Sequence, residues 1–121
     1  MRRPVPFARW LRAYLLTLLF EIPIYVGLAR GPVSAARAAF AGWLGSTITH
    51  PMLTYLWPRI LADRTDALIA GEIGAAVIES AVLFALAPKL GARRSIGVAF
   101  LANGVSFGAS VVVRLIRRAY F

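Results

Sequence analysis

The sequence has no cysteine, a single histidine and only five acidic residues among 121. The absence of cysteine excludes disulfides, zinc–thiolate sites and cysteine nucleophiles. The scarcity of acidic residues leaves a net charge of +9, and almost all of the basic residues are arginines. Such a charge first suggests nucleic acid, but the arginines flank apolar runs and do not form one basic face. We therefore exclude nucleic acid as a partner.

Long polar segments are also missing, because 60% of the residues are hydrophobic and the mean hydropathy is +0.71. A soluble domain is about half apolar, whereas a membrane-spanning helix needs about 20 mostly apolar residues. Four runs have that character and are separated by glycine, proline and charge, which predicts helices over 11–29, 36–57, 66–87 and 95–113. The sequence therefore predicts an all-α integral membrane protein, a single domain over 1–121 that forms a bundle of four transmembrane helices.

The distribution of basic residues predicts the orientation of this bundle. Nine arginines lie before or at the start of the first run, between the second and third, or after the fourth, and five basic residues lie at the opposite ends. The positive-inside rule then places both termini in the cytoplasm, an N-in/C-in topology. The same arginines are positioned to contact anionic lipid of the bilayer. Because arginine so outnumbers lysine, we expect a bacterial protein of the inner (cytoplasmic) membrane.

The N-terminal segment has a second interpretation. Its basic residues followed by an apolar run resemble a signal peptide, with "VSA" near Ala35 as a cleavage site. The apolar run is long, however, and it carries Glu21. Both features favour a retained helix.

Ionisable and amide side chains inside the apolar runs are the candidate site. They are Glu21, His50, Glu72, Glu79 and Asn103. An ionisable group near the bilayer centre costs about 3 kcal/mol or more, so such residues usually have a function. At about 1.5 Å per helical residue, all five lie at depths that allow them to converge inside the bundle. We predict that they bind or conduct a proton or a cation, with Asn103 orienting the others.

A metal ion is one form that this site could take. His50 and Glu72 are the candidate metal ligands, and their nitrogen and oxygen atoms suit zinc, manganese or iron. No closely spaced ligand motif accompanies them. Two prolines within the runs leave the carbonyls of Leu19 and Thr47 without a helical donor, and these carbonyls could assist a bound cation.

Glycines predict how helices approach one another. Gly104 and Gly108 form a G-x-x-x-G pattern, which permits close packing of two helices, within the chain or between copies. A chain this small is expected to form a homo-oligomer or to belong to a larger membrane complex. No internal repeat is evident in the sequence.

Three functions are compatible with these observations. The first is transport or conduction of a proton or cation. The second is a non-catalytic membrane subunit or assembly factor, in which the polar cluster fixes helix packing. The third is an intramembrane enzyme acting on a lipid, with His50 and a glutamate as an acid–base pair. No Ser-His-Asp arrangement or nucleotide-binding loop is present, so we assign no catalytic residue and disfavour an enzyme.

The stretch "LLFEIPIYVGL", together with the chain length and the four runs, resembles the small multidrug resistance transporters. In that family a glutamate of the first helix exchanges protons for cationic drugs, and the protein works as a dimer. The resemblance is limited to Glu21 in one helix. The following Ile22 and Pro23 depart from the family's pattern, and His50, Glu72 and Glu79 are additional to it. The resemblance implies a proton-exchanging role for Glu21.

Overall fold

A computed structural model of the chain describes residues 5–120, apart from the side chain of Tyr120. These residues form helices and no strand: α1 (Phe7–Leu28), α2 (Ala35–Pro51), α3 (Trp57–Ile60), α4 (Arg64–Leu86) and α5 (Ala92–Tyr120). A π-helical turn at Met52–Leu56 joins α2 to α3, and a 3-10 turn at Pro88–Leu90 precedes α5. The all-helical prediction is confirmed. Arg2 and Arg3, which contribute to the predicted orientation, lie outside the described residues.

Helix starts follow local hydrogen-bonding chemistry. The Ser34 hydroxyl accepts a hydrogen bond from the Arg37 backbone N–H at 3.2 Å, and the Asp63 carboxylate accepts one from the Asp66 N–H at 2.9 Å. Both are N-cap interactions that satisfy a free donor of the first turn. Gly91 precedes α5 with a φ of 86°, in the left-handed region that favours glycine. The connections before α2, α4 and α5 are therefore determined by particular residues.

The helix bounds differ from those predicted. α1 begins four residues earlier, at Phe7, and α5 extends beyond the predicted 95–113 at both ends. α2 ends at Pro51, whose nitrogen has no hydrogen to donate to the carbonyl one turn earlier. The chain then widens into the π-turn, in which the Trp57 N–H donates to the Met52 carbonyl five residues back.

The four long helices pack in a ring. α1 contacts α2 and α5, and α4 contacts the same two helices. Short connections make successive long helices antiparallel, so α1 and α4 run in the same direction and lie diagonally opposite each other. Side chains that α1 and α4 direct inward therefore meet at the centre of the ring.

Polarity is arranged inside out relative to a soluble protein. Large apolar side chains are exposed on the outer faces, among them Phe7, Leu19 and Leu115. Glu21 and Glu79, in contrast, are each only 1% exposed. α1, α4 and most of α5 are long and apolar enough to cross a membrane, whereas α2 has 17 residues and falls short of the usual length. The three long apolar helices indicate an integral membrane protein.

Close helix packing involves other glycines than those predicted. A Cβ added to Gly104 or Gly108 would meet no atom of the described residues within 4 Å, so neither glycine packs closely against another described helix. Close packing at Gly104 and Gly108 stays a prediction for contacts between copies of the chain. A Cβ at Gly45 of α2 would lie 2.8 Å from the Glu79 Cγ, and one at Gly42 would lie 3.2 Å from the Tyr25 ring. The glycines of α2 therefore bring that helix close to both residues.

Candidate functional site

Glu21 lies in the middle of α1, with its carboxyl group at the centre of the ring. The Ser46 hydroxyl of α2 lies 2.5 Å from its Oε2, and the Ser106 hydroxyl of α5 lies 2.9 Å from its Oε1. Each carboxyl oxygen thus has a hydroxyl partner from a different neighbouring helix. These contacts satisfy the group despite its burial, as a buried polar group requires.

Glu79 of α4 faces Glu21 across the ring. The Tyr25 hydroxyl of α1 donates to its Oε1, and the Thr49 hydroxyl of α2 donates to its Oε2, both at 3.3 Å. The Ser46 hydroxyl lies 3.4 Å from the same Oε1. Glu79 is therefore surrounded by hydroxyl groups of α1 and α2.

Ser46 joins the two carboxyl groups. Its oxygen lies within hydrogen-bonding distance of one oxygen of Glu21 and one of Glu79, so those two oxygens are less than about 6 Å apart. A serine hydroxyl has one hydrogen and can also accept. Ser46 can therefore accept a hydrogen bond from one carboxyl group while it donates to the other.

Asn103 and Ser106 complete the site on α5. The Asn103 amide donates to the Ala99 carbonyl at 2.8 Å and faces the Glu79 carboxyl group. The Ser106 hydroxyl also lies 3.1 Å from the backbone carbonyl oxygen of Asn103. We call the whole group the carboxyl-pair site, which consists of Glu21, Tyr25, Ser46, Thr49, Glu79, Asn103 and Ser106.

No positive charge neutralises the pair within residues 5–120. The hydrogen-bond partners of both carboxyl groups are hydroxyls, and neither glutamate forms an ion pair with a described residue. Two buried carboxylates this close repel each other strongly and cannot both remain charged without a cation. The pair therefore holds at least one proton, or a cation takes its place.

His50 lies apart from this site. Its Nε2 is 3.3 Å from the Thr17 hydroxyl, and its ring packs edge-on against Trp10 and Tyr14 of α1. Its Nδ1 is buried without a hydrogen-bond partner among the described residues. The structure brings together three of the five predicted residues, Glu21, Glu79 and Asn103, and His50 is not one of them.

Glu72 is the other predicted residue outside the carboxyl-pair site. It lies two turns before Glu79 on α4, is half-buried, and its side chain makes no hydrogen bond to a described residue. The expected contact between Glu72 and His50 is not formed, because His50 bonds Thr17 instead.

Metal ligation has little support from this geometry. Among residues 5–120, no three histidine, cysteine, aspartate or glutamate side chains are grouped as a metal site would need. The hydrogen-bond partners of the two glutamates are side chains, and Pro51 ends α2. Assistance to a bound cation by the carbonyls of Leu19 and Thr47 stays a prediction. The Thr47 side chain bonds the Trp43 carbonyl and the Tyr14 hydroxyl.

Four residues of the site were missed by sequence reasoning. They are Tyr25, Ser46, Thr49 and Ser106. A spacing signal existed: Tyr25 lies one helical turn after Glu21, and Thr49 lies three residues after Ser46, so each pair shares a helix face. Hydroxyl residues are common in apolar helices, and the sequence does not show which of them face a carboxyl group.

The carboxyl pair is buried, since Glu21 and Glu79 are each only 1% exposed. Two grooves open at the surface near the connection between α1 and α2, lined by residues that include Ser34, Arg37 and Lys89. Neither groove is lined by a glutamate. A proton or cation can therefore reach the pair only if the helices separate or water enters between them.

Comparison with protein-family models, with curated proteins and with solved structures found no match to this chain. The functional argument therefore depends on the geometry of the carboxyl-pair site.

Proposed function

We propose that the protein carries protons across a membrane by protonation and deprotonation of the Glu21–Glu79 pair. The observation that supports this most is the shared Ser46 hydroxyl between two buried carboxyl groups that have no positively charged partner among the described residues. Such a pair exchanges a proton, or a cation in its place, whenever water reaches it. A pair of this kind at the centre of apolar helices has the chemistry of a proton or cation carrier.

Proton transfer within the pair needs no additional group. When Glu21 is protonated, its O–H can donate to the Ser46 oxygen while the Ser46 O–H donates to Oε1 of Glu79. Transfer of both hydrogens along these bonds moves the proton from Glu21 to Glu79 and leaves Ser46 unchanged. The negative charge moves in the opposite direction, so atoms and charge balance.

The membrane arrangement is the second part of the proposal. Helical structure continues without interruption from residue 35 to residue 60, through the π-turn and α3. At about 1.5 Å per residue this segment is long enough to cross the apolar layer as a fourth span. The protein is then a four-helix transmembrane bundle with both termini in the cytoplasm, in a bacterial inner membrane.

A structural subunit is the second candidate function. It is favoured by the near-complete hydrogen bonding of the site and by the burial of both glutamates. In that case the polar groups only fix helix pairing, since interhelical hydrogen bonds stabilise membrane bundles by about 0.6 kcal/mol on average. The pair would then hold a proton permanently and exchange none.

Proton flux into proteoliposomes with a pH-sensitive dye inside tests the proposal. Under an imposed potential, the wild type should acidify the interior, and Glu21→Gln and Glu79→Gln should each reduce the rate at least tenfold. Glutamine keeps the shape and the hydrogen bonds of a glutamic acid but cannot release a proton. Glu72→Gln is the matched control, because it removes a carboxyl group from the same helix as Glu79 outside the site.

The outcomes separate the two candidates. Flux that is lost in both site variants and kept in Glu72→Gln supports proton carriage. A folded wild type without flux, at any internal pH, contradicts it and favours the structural subunit. Repetition with sodium, zinc or manganese outside shows whether a cation exchanges for the proton.

A further inference from the structure

The two helix hairpins of the chain carry the same pattern of buried positions. The first hairpin is α1 with α2 (residues 7–51), and the second is α4 with α5 (residues 64–120). The buried positions of α2 recur in α5 at a constant spacing of 57 residues, as between 38 and 95. These positions are Ala38, Ala41, Gly42, Gly45, Ser46 and Thr49 in α2, and Ser95, Val98, Ala99, Ala102, Asn103 and Ser106 in α5.

The first helices of the hairpins match in the same way. Glu21, Tyr25 and Ala29 are buried at successive turns at the centre and end of α1. Residues 58 positions later, Glu79, Leu83 and Ala87, are buried at the centre and end of α4. The spacing differs by one residue from that of the second helices, because the loop of the first hairpin is one residue longer.

Contacts between the hairpins are reciprocal. Thr49 of the first hairpin donates to Glu79 of the second, and Ser106, the equivalent of Thr49, donates to Glu21, the equivalent of Glu79. Within the hairpins, Ser46 contacts Glu21, and its equivalent Asn103 faces Glu79. A rotation that exchanges the two hairpins therefore places equivalent groups at nearly the same positions around the two carboxyl groups.

The same reciprocity holds at the loop end, far from the carboxyl groups. The Arg37 guanidinium donates to the Leu86 carbonyl at 3.2 Å. Arg94, its equivalent, donates to the Leu28 carbonyl at 2.9 Å, and Leu28 is the equivalent of Leu86. Each arginine thus binds free carbonyls at the C-terminal end of the other hairpin's first helix. This second pair of reciprocal contacts is independent of the first.

We propose that the chain is a repeat of one two-helix hairpin, with one carboxyl group from each half meeting on the axis that relates them, and that Tyr25 makes the two carboxyl groups unequal. The axis runs parallel to the helices through the centre of the ring, so the halves are parallel repeats. The equivalent of Tyr25 is Leu83, which has no hydroxyl group to donate to Glu21.

Tyr25 is therefore a positioning residue for the proton. Its hydroxyl gives Glu79 a donor that Glu21 lacks, and hydrogen-bond donors stabilise the charged form of a carboxyl group. This additional donor favours the charge on Glu79 and the proton on Glu21. Glycine at position 42 leaves space for the Tyr25 ring, and the second hairpin has Ala99 and the smaller Leu83 at the equivalent positions. This inference rests on the pair's holding a proton, which is part of the proposed function.

The carboxyl groups can be observed individually, because the chain has only three glutamates. Selective carbon-13 labelling of glutamate gives three side-chain carboxyl signals in the full-length protein, whose chemical shifts differ between acid and carboxylate. Glu21→Gln, Glu72→Gln and Glu79→Gln each remove one signal and so assign it. We expect the acid shift for Glu21 and the carboxylate shift for Glu79 at neutral pH.

Tyr25→Phe then tests whether the Tyr25 hydroxyl causes the difference between the two carboxyl groups. Loss of the hydroxyl should bring the Glu21 and Glu79 signals together, while the Glu72 signal stays in place. Tyr25→Leu, which installs the residue of the second hairpin, is the alternative variant if the phenylalanine form does not fold. Equal signals in the wild type, or the acid shift on Glu79, overturn the inference. Flux with equal signals would contradict this inference alone, whereas unequal signals without flux would contradict only the proposed function.

Discussion

The two hairpins share a buried pattern but differ in the segments beyond the buried stretches of their second helices. In the first hairpin Pro51 ends α2, and the π-turn and α3 lean against the first half of α4. Gly71 of α4 makes room for this segment, since a Cβ there would lie 2.5 Å from Leu53. In the second hairpin the position equivalent to Pro51 is Gly108, and α5 continues as a regular helix to residue 120.

This difference shows which parts of the hairpin the carboxyl-pair site needs. The equivalent positions are those that surround the two carboxyl groups or join the hairpins at their loops. Beyond them, the first hairpin covers α4, whereas most of the side chains after Ser110 in α5 are exposed. The site is thus nearly symmetric, and the end of the molecule that carries α3 is not.

The largest effect on stability is expected at Gly45, where the hairpins differ. Its equivalent is Ala102, but a methyl group on Gly45 would lie 2.8 Å from the Glu79 Cγ. Gly45→Ala should therefore destabilise the protein by about 1–3 kcal/mol, the usual cost of overpacking. Thermal unfolding in detergent measures this effect.

Gly104→Ala is the matched control for Gly45→Ala. Nothing lies within 4 Å of its added Cβ, so it should leave the unfolding temperature unchanged or raise it slightly through helix propensity. Equal loss of stability in the two variants would show that helix α2 does not approach Glu79 closely.

A smaller and equal effect is expected when the reciprocal donors are removed. Thr49→Val deprives Glu79 of one donor, and Ser106→Ala deprives Glu21 of one. Each should cost about 0.5–2 kcal/mol of stability in the membrane. Unfolding of the two variants side by side measures the symmetry directly, and a tenfold difference between their unfolding equilibria would contradict it.

The smallest effect is expected at His50, whose equivalent in the second hairpin is Phe107. His50→Phe replaces the imidazole with the side chain found at the equivalent position and removes one 3.3 Å contact with Thr17. Proton flux in proteoliposomes should stay within about twofold of the wild type, because His50 does not touch the carboxyl pair. Flux abolished in a folded His50→Phe variant would place the histidine in the proton path.

The sequence predicts the apolar helices and the residues that separate them, because hydropathy and helix breakers act locally. It also brings Glu21, Glu79 and Asn103 together correctly, since depth in a membrane depends on position along the helix. The prediction that His50 lies beside the glutamates is wrong. His50 comes one residue after Thr49, and its side chain points towards α1, whereas that of Thr49 points towards α4. The position of a residue along a helix gives its depth and does not show which neighbouring helix its side chain faces.

The repeat is hidden from sequence inspection for a different reason. Few of the equivalent residues are identical. The identical pairs include Glu21 with Glu79 and Arg37 with Arg94. The loop of the first hairpin is one residue longer, which shifts the spacing between the two helices of a half. Small buried residues replace each other freely, so the pattern becomes visible only when burial is known.

Proton counting on the purified protein tests the central claim most directly. The wild type and the Glu21→Gln/Glu79→Gln double variant would be titrated with acid and base in the same lipid nanodiscs. We expect the wild type to bind or release about one proton more per chain, because the pair shares an exchangeable proton. Identical titration curves for two folded proteins would contradict the account, since the carboxyl groups would then hold their protons permanently and serve only to join the helices.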